Sequence, residues 1–121
     1  MAFYLEHVFT GDRYNLVDGI QVLGRHSSCT CVLKYDYMSR FHALVRVVGG
    51  DIFIKELGNN NGVFLNYWPM RIGTGWHEVV AGDILYFGVQ LSIDHDGEVP
   101  NTFGIFTVKS FEQPNEEPLV F

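Results

Sequence analysis

The sequence predicts an all-β sandwich of about eleven short, largely antiparallel strands joined by close turns. Three observations carry that reading. Ten Phe, six Tyr and two Trp give an aromatic share of 15%, and aromatic and β-branched side chains suit a pleated, half-buried surface. Apolar residues do not recur at helical spacing; they fall in runs of about four to eight, the length of strands. Thirteen glycines, together with Asn, Asp and Pro, punctuate those runs, as turns between strands require.

The elements follow in order. Tyr4–Phe9 is an apolar and aromatic run that stops at Thr10-Gly11-Asp12. Tyr14–Leu16 is short and meets Asp18-Gly19; Gln21–Gly24 and Cys31–Leu33 are compact apolar stretches on either side of a polar loop. Ala43–Val48 and Asp51–Glu56 flank Gly49-Gly50, and two adjacent glycines tolerate the positive φ of a two-residue hairpin. In Asp51–Glu56, Ile52 and Ile54 alternate with Phe53 and Lys55, the period of a strand with one buried face. Val63–Leu65, Glu78–Val80, Asp83–Phe87, Gln90–Ile93 and Ile105–Lys109 complete the set. Residues 94–103, acidic around Pro100, read as an exposed loop. Residues 1–110 form one domain, and Phe111–Phe121, with two prolines and three glutamates, reads as a tail.

Composition excludes several partners. Fourteen acids against eight bases leave a net charge of −6 and no basic tract, so direct nucleic-acid binding by phosphate neutralisation is not expected. No apolar run approaches the ~20 residues of a membrane span, and the start, Met1 to His7, lacks the basic and long apolar regions of a signal peptide. Cys29 and Cys31 lie one residue apart; in extended chain they face opposite ways, which does not suit a disulfide between them. A zinc reading would recruit His26 or His42, but one C-x-C pair with scattered histidines fits structural zinc spacing poorly. No metal or cofactor is expected, and reduced, buried thiols point to the cytosol or nucleus.

Three loop segments carry the chemistry. They are Gly24-Arg25-His26-Ser27-Ser28-Cys29 after a strand, Tyr37-Met38-Ser39-Arg40-Phe41-His42 before one, and Gly58-Asn59-Asn60-Asn61-Gly62 between two. Alternate loops of a sandwich meet at one end, on a rigid base. There Arg25 and Arg40 would bring permanent cations, Ser39 a hydroxyl, and Asn60 and Asn61 amide donors. Such groups complement a phosphate, which takes charge-assisted donors and a planar guanidinium fork. In a chain at −6, a small anionic group on a peptide suits a local cationic pocket better than a polyanion does.

These residues resemble the forkhead-associated (FHA) domain family over about residues 3–110. The family pattern has Gly-Arg after a strand, here Gly24-Arg25; Cys-Asp-Ile-x-Leu, here Cys29-Thr30-Cys31-Val32-Leu33; and Ser-Arg-x-His, here Ser39-Arg40-Phe41-His42. Its Asp-x-x-Ser-x-Asn-Gly-Thr-x-x-Asn matches Glu56 through Asn61, Gly62 and Val63 to Asn66, and Gly-Asp-x-Ile-x-Phe-Gly matches Gly82 to Gly88. The resemblance implies an eleven-stranded sandwich that binds phosphothreonine peptides. By position Arg25 and Ser39 would hold the phosphate, Arg40 would flank it, Asn61 would bond the peptide backbone, and Asn60 stands where a Ser or Thr contacts phosphate. Gly24, His42 and Gly62 would shape the loops. Asn59, Asn60 and Val63 stand in place of hydroxyl residues. The resemblance also implies a nuclear, DNA-damage signalling setting of the checkpoint-mediator type.

Other readings are open to these residues. Arg25 alone would suit a surface ion pair with Asp36. Ser39, His42 and Asp36 match a hydrolase triad by residue type only, with no Gly-x-Ser-x-Gly elbow, so catalysis is not expected. Asp94, Asp96 and Glu98 lack the calcium-loop ladder of an EF-hand and read as a solvated loop. Trp68, Met70 and Trp76 form either a cluster beneath a loop or a partner surface. The alternative function is a phosphorylation-independent homodimerisation module, with Leu119-Val120-Phe121 adding apolar surface.

Overall fold

The computed structural model describes residues 2–58, 61–91 and 97–111. Ten strands are present among them: β1 (Phe3–His7), β2 (Arg13–Leu16), β3 (Gly19–Gly24), β4 (Cys31–Val32), β5 (Ala43–Val48), β6 (Asp51–Glu56), β7 (Val63–Leu65), β8 (His77–Val79), β9 (Ile84–Phe87) and β10 (Gly104–Ser110). They form two five-stranded sheets, ordered β2-β1-β10-β9-β7 and β4-β3-β5-β6-β8. Every pairing is antiparallel except β3 with β4. The all-β sandwich read from the sequence is therefore present, with ten strands in place of eleven. Gln90 and Leu91 lie outside any strand. The sheet that holds β9 ends at β7, and Gln90 and Leu91 add no strand to it. The rest of the expected Gln90–Ile93 run lies outside the described residues, as do Asp94 and Asp96 of the acidic loop and all of the tail beyond Phe111.

Alternation decides which side chains enter the core. In β6, Ile52 and Ile54 point inward at 2% and 0% exposure, opposite Val47 and Val45 of β5. The facing sheet supplies Phe3, Leu5, Leu85, Phe87, Phe106 and Val108. Burial of such side chains contributes about 1.5–3 kcal/mol each. The Gly49-Gly50 turn closes β5 on β6 with Val48 opposite Asp51 and Gly49 at φ 61°, the hairpin that two adjacent glycines lead one to expect. Val63, read by resemblance as a position that has lost a hydroxyl, is fully buried in this core. Its methyl groups fill inter-sheet space, where a hydroxyl would need a partner.

One row of the second sheet places the loops. Leu23 pairs with Ala43, and Ala43 with Glu56. The end of β3, the start of β5 and the end of β6 therefore lie side by side. The loops that leave them, at residues 25–30 and 33–42 and through Leu57, Gly58, Asn61 and Gly62, emerge at the same end of the sandwich.

Candidate functional site

The first two loops are bonded along their backbones. The Arg25 N–H donates to the Ser39 carbonyl at 3.0 Å and the His26 N–H to the Arg40 carbonyl at 3.1 Å. Gly24 makes this approach possible: a Cβ there would lie 2.8 Å from the Arg40 carbonyl carbon and 3.0 Å from Cys29 Sγ. The Arg25 side chain is exposed and is steered by its Nε–H, which donates to the Met38 carbonyl at 3.1 Å. Among the described residues no carboxylate lies within ion-pair distance of Arg25. Asp36, its alternative partner, instead accepts the Thr102 hydroxyl at 2.6 Å. Arg40 is exposed beside half-buried Ser39.

The third loop reaches the second through a side chain. Asn61 Nδ2 donates to the Tyr37 carbonyl at 3.0 Å and to Ser39 Oγ at 3.3 Å. A hydroxyl that accepts in this way keeps its own proton to donate outward. The Tyr37 carbonyl is held in turn by backbone geometry: Tyr37 sits at φ 67°, against Gly88, where a Cβ would lie 2.8 Å from Tyr37 Cβ. Arg25, Ser39, Arg40 and Asn61 are thus on neighbouring loops at one end. Asn60 and Asn59 lie outside the described residues.

His42 ties the loops together from beneath. It is fully buried; its Nδ1 accepts the Ser39 N–H at 2.9 Å, and its Nε2–H donates to the Gly62 carbonyl at 2.6 Å. This pairing defines the neutral Nε2–H tautomer. Burial lowers the His42 pKa, as does the Arg71 charge, while the Gly62 carbonyl and Glu56 pull the other way. An unfolded His titrates near its ordinary 6.5, so below that value the unfolded chain binds the extra proton and the folded chain does not. The contribution of neutral His42 is therefore complete above about pH 6.5 and is lost as pH falls toward the depressed native value. Urea midpoints at about pH 7.5 and about pH 5.5 should show lower stability at the lower pH, with the difference reduced in His42→Gln; equal midpoints in the unsubstituted chain would contradict this.

Glu56 is a second buried tie, one not picked out from the sequence. It is 2% exposed. Its Oε1 accepts from Arg71 Nε at 2.9 Å and Nη2 at 2.6 Å, and its Oε2 from the Val63 N–H at 3.0 Å and the Gly73 N–H at 3.1 Å. Burial alone would raise its pKa, but the Arg71 fork and the two N–H groups hold it below the usual carboxylate value. A signal for it did exist: Glu56 continues the inward face of Ile52 and Ile54, and a buried acid demands partners.

The cysteines offer no second site. Cys29 Sγ donates to the Arg40 carbonyl at 3.2 Å, whereas Cys31 lies in the core. Both thiols are free, and burial pushes the Cys31 pKa up to about 11 and that of Cys29 upward, so neither is a ready thiolate. Among the described residues no group of three or more His, Cys, Asp or Glu side chains could hold a metal ion. Trp68, Met70 and Trp76 are exposed at 49%, 74% and 39%. The Trp68 ring meets His77 edge-on at 5.0 Å, and Lys55 Nζ lies 4.8 Å from the Trp76 ring centre.

Comparison with known proteins adds the family. A family model described as the FHA domain matches residues 21–88. The FHA domain-containing protein FhaB of Mycobacterium tuberculosis is 34% identical over 61 residues, which make up 50% of this chain and 39% of FhaB. The chain thus spans well under half the length of that curated relative. The solved FHA domain of the CT664 protein from Chlamydia trachomatis superposes with a TM-score of 0.70 at 19% identity, over 93% of this chain and 100% of that one. The FHA domain of human APLF in complex with an XRCC1 bisphospho peptide gives 0.62 at 24% identity, over 92% and 100%. These two likenesses show a shared fold.

Proposed function

The chain belongs to the FHA domain family, a family of phosphopeptide-binding interaction modules, and from that premise we propose that its three-loop end binds phosphothreonine segments of partner proteins. The observation that carries the proposal is the contact between Asn61 Nδ2 and Ser39 Oγ at 3.3 Å, beside an Arg25 with no carboxylate at ion-pair distance among the described residues. It joins a hydroxyl and an amide from loops separated in sequence, and the Arg25 guanidinium is held next to them on the Met38 carbonyl. Arg25 and Ser39 take the phosphate, Arg40 adds charge at its flank, and Asn61 is left to orient the peptide backbone. Asn60 is proposed as a further donor. A few charge-assisted hydrogen bonds at about 1.5–3 kcal/mol each, less the cost of ordering the peptide, give micromolar affinity, about −7 to −8 kcal/mol.

Titration with a phosphothreonine peptide library beside its unphosphorylated counterpart tests this. Binding confined to the phosphorylated set is expected; equal affinity for both sets would refute it. The nuclear DNA-damage setting is proposed on resemblance alone, and imaging of the tagged full-length protein before and after DNA damage checks it.

A second reading rests on a separate observation. Tyr67, Trp68 and Met70 expose 60%, 49% and 74% of their surface, and exposed aromatic and Met residues are enriched at interface cores. Self-association through this surface would leave the three-loop end free and need no phosphate. Sedimentation equilibrium of unphosphorylated protein should then give the mass of two chains, returning to one in Trp68→Ala; a single-chain mass at all micromolar concentrations rules it out.

A further inference from the structure

Glu56 and Arg71 lie behind the three-loop end, and neither is among the groups proposed to meet the peptide. Their connections nevertheless converge on the segment that carries Asn61. The Val63 N–H, two residues beyond Asn61, ends on Glu56 Oε2. The Arg71 guanidinium lies against Gly62: a Cβ there would come within 2.8 Å of Nε and 2.9 Å of Cζ. Gly62 also has φ 73°, so its backbone conformation favours glycine, and a side chain there would push the Arg71 guanidinium away. The Gly62 carbonyl accepts from both His42 Nε2–H at 2.6 Å and the Gly88 N–H at 2.9 Å. The short segment Asn61-Gly62-Val63 is thus gripped from β6, from the stretch after β7, from the end of β9 and from His42.

We infer that Glu56 and Arg71 are positioning residues that set phosphopeptide affinity by holding Asn61 against Ser39, a role that rests on the proposed phosphothreonine reading. The chemistry assigns each partner a task. A carboxylate has lone pairs for the Arg71 fork and for two backbone N–H groups at once. A protonated carboxyl presents an O–H and loses part of that capacity. Arg71 supplies the charge that keeps Glu56 ionised in a buried setting, so removing Arg71 releases the Val63 N–H as well as its own contact with Gly62. Net stability does not explain such a pair well, because the Arg71 side chain is 41% exposed and the attraction in an ion pair open to water is small. What it does provide is a single geometry for the loop, and displacing a binding group by about 1 Å is costly to recognition.

The test measures dissociation constants for one phosphothreonine peptide, selected on the unsubstituted chain, against that chain, Arg71→Met and Arg71→Lys. Measurements are made at low temperature, where circular dichroism shows each protein folded, so that lost stability by itself leaves the constant unchanged. Arg71→Met should weaken binding by about ten- to hundredfold, and Arg71→Lys, which keeps the charge but not the fork, should recover part of the loss. The side-chain amide resonances of Asn61 give a second readout that needs no ligand. They should shift in Arg71→Met, and Glu56→Gln serves the same measurement if Arg71→Met does not fold. Unchanged affinity together with unchanged Asn61 resonances overturns the inference while leaving the phosphothreonine reading intact. Failure of the unsubstituted chain to bind any phosphothreonine peptide overturns both.

Discussion

Replacing Arg25 by Ala is expected to weaken phosphothreonine-peptide binding by about 2–5 kcal/mol, about 30- to 5000-fold. The size follows from what is left behind. A phosphate dianion already stripped of part of its water would face the neutral Ser39 hydroxyl without a fork of fixed geometry. Arg40 is a poorer substitute, since among the described residues its side chain has no bond like the one from Arg25 Nε to the Met38 carbonyl. The fold should survive, because Arg25 is exposed and its backbone bond to Ser39 needs no side chain. Arg25→Lys should fall between the two, retaining charge and losing the paired donors. Isothermal titration with one phosphopeptide against the three proteins decides it; an Arg25→Ala protein that binds like the unsubstituted chain would remove Arg25 from the site.

Glu56→Ala is expected to lower folding stability by about 3–5 kcal/mol. Two backbone N–H groups, on Val63 and Gly73, would lose their acceptor, at about 1–3 kcal/mol each when buried. The Arg71 guanidinium would lose its partner too, but its side chain is 41% exposed and water rehydrates it, so that part of the cost is small. Glu56→Gln, which keeps one acceptor oxygen, should cost less. The same carboxylate gives a pH signature. Its native pKa lies below the ordinary 4.5, so its contribution is complete above about pH 4.5 and is lost as pH falls toward the native value. This loss begins at a lower pH than the one set by His42, which begins near 6.5, and both contribute to acid unfolding. Urea unfolding of the variants across that range measures both effects; a Glu56→Ala midpoint within error of the unsubstituted chain would contradict them.

β5 and β6 fall on the residues that alternation and the Gly49-Gly50 signal indicate, because those cues are local: a strand's period and a turn's φ are properties of a few consecutive residues. The segment after β9 is the opposite case. Gln90–Ile93 has strand composition, yet Gln90 and Leu91 pair with no strand, because composition is local while pairing needs a neighbour that only the fold supplies.

The sandwich, the loops and the residue types they could bring to a phosphate are legible in the chain, since composition, turn punctuation and ordered motifs are written along it. Which of those residues meet is a property of the folded sheets. The row Leu23, Ala43 and Glu56 gathers the loops at one end, Asn61 reaches Ser39 across 22 residues, and Glu56 meets Arg71 across 15. Val63 shows the same division, since a β-branched residue in a binding motif turned out to be core. The physical reason is that hydrogen bonds and packing depend on distance in space, which sheet register sets and which no stretch of neighbouring residues encodes.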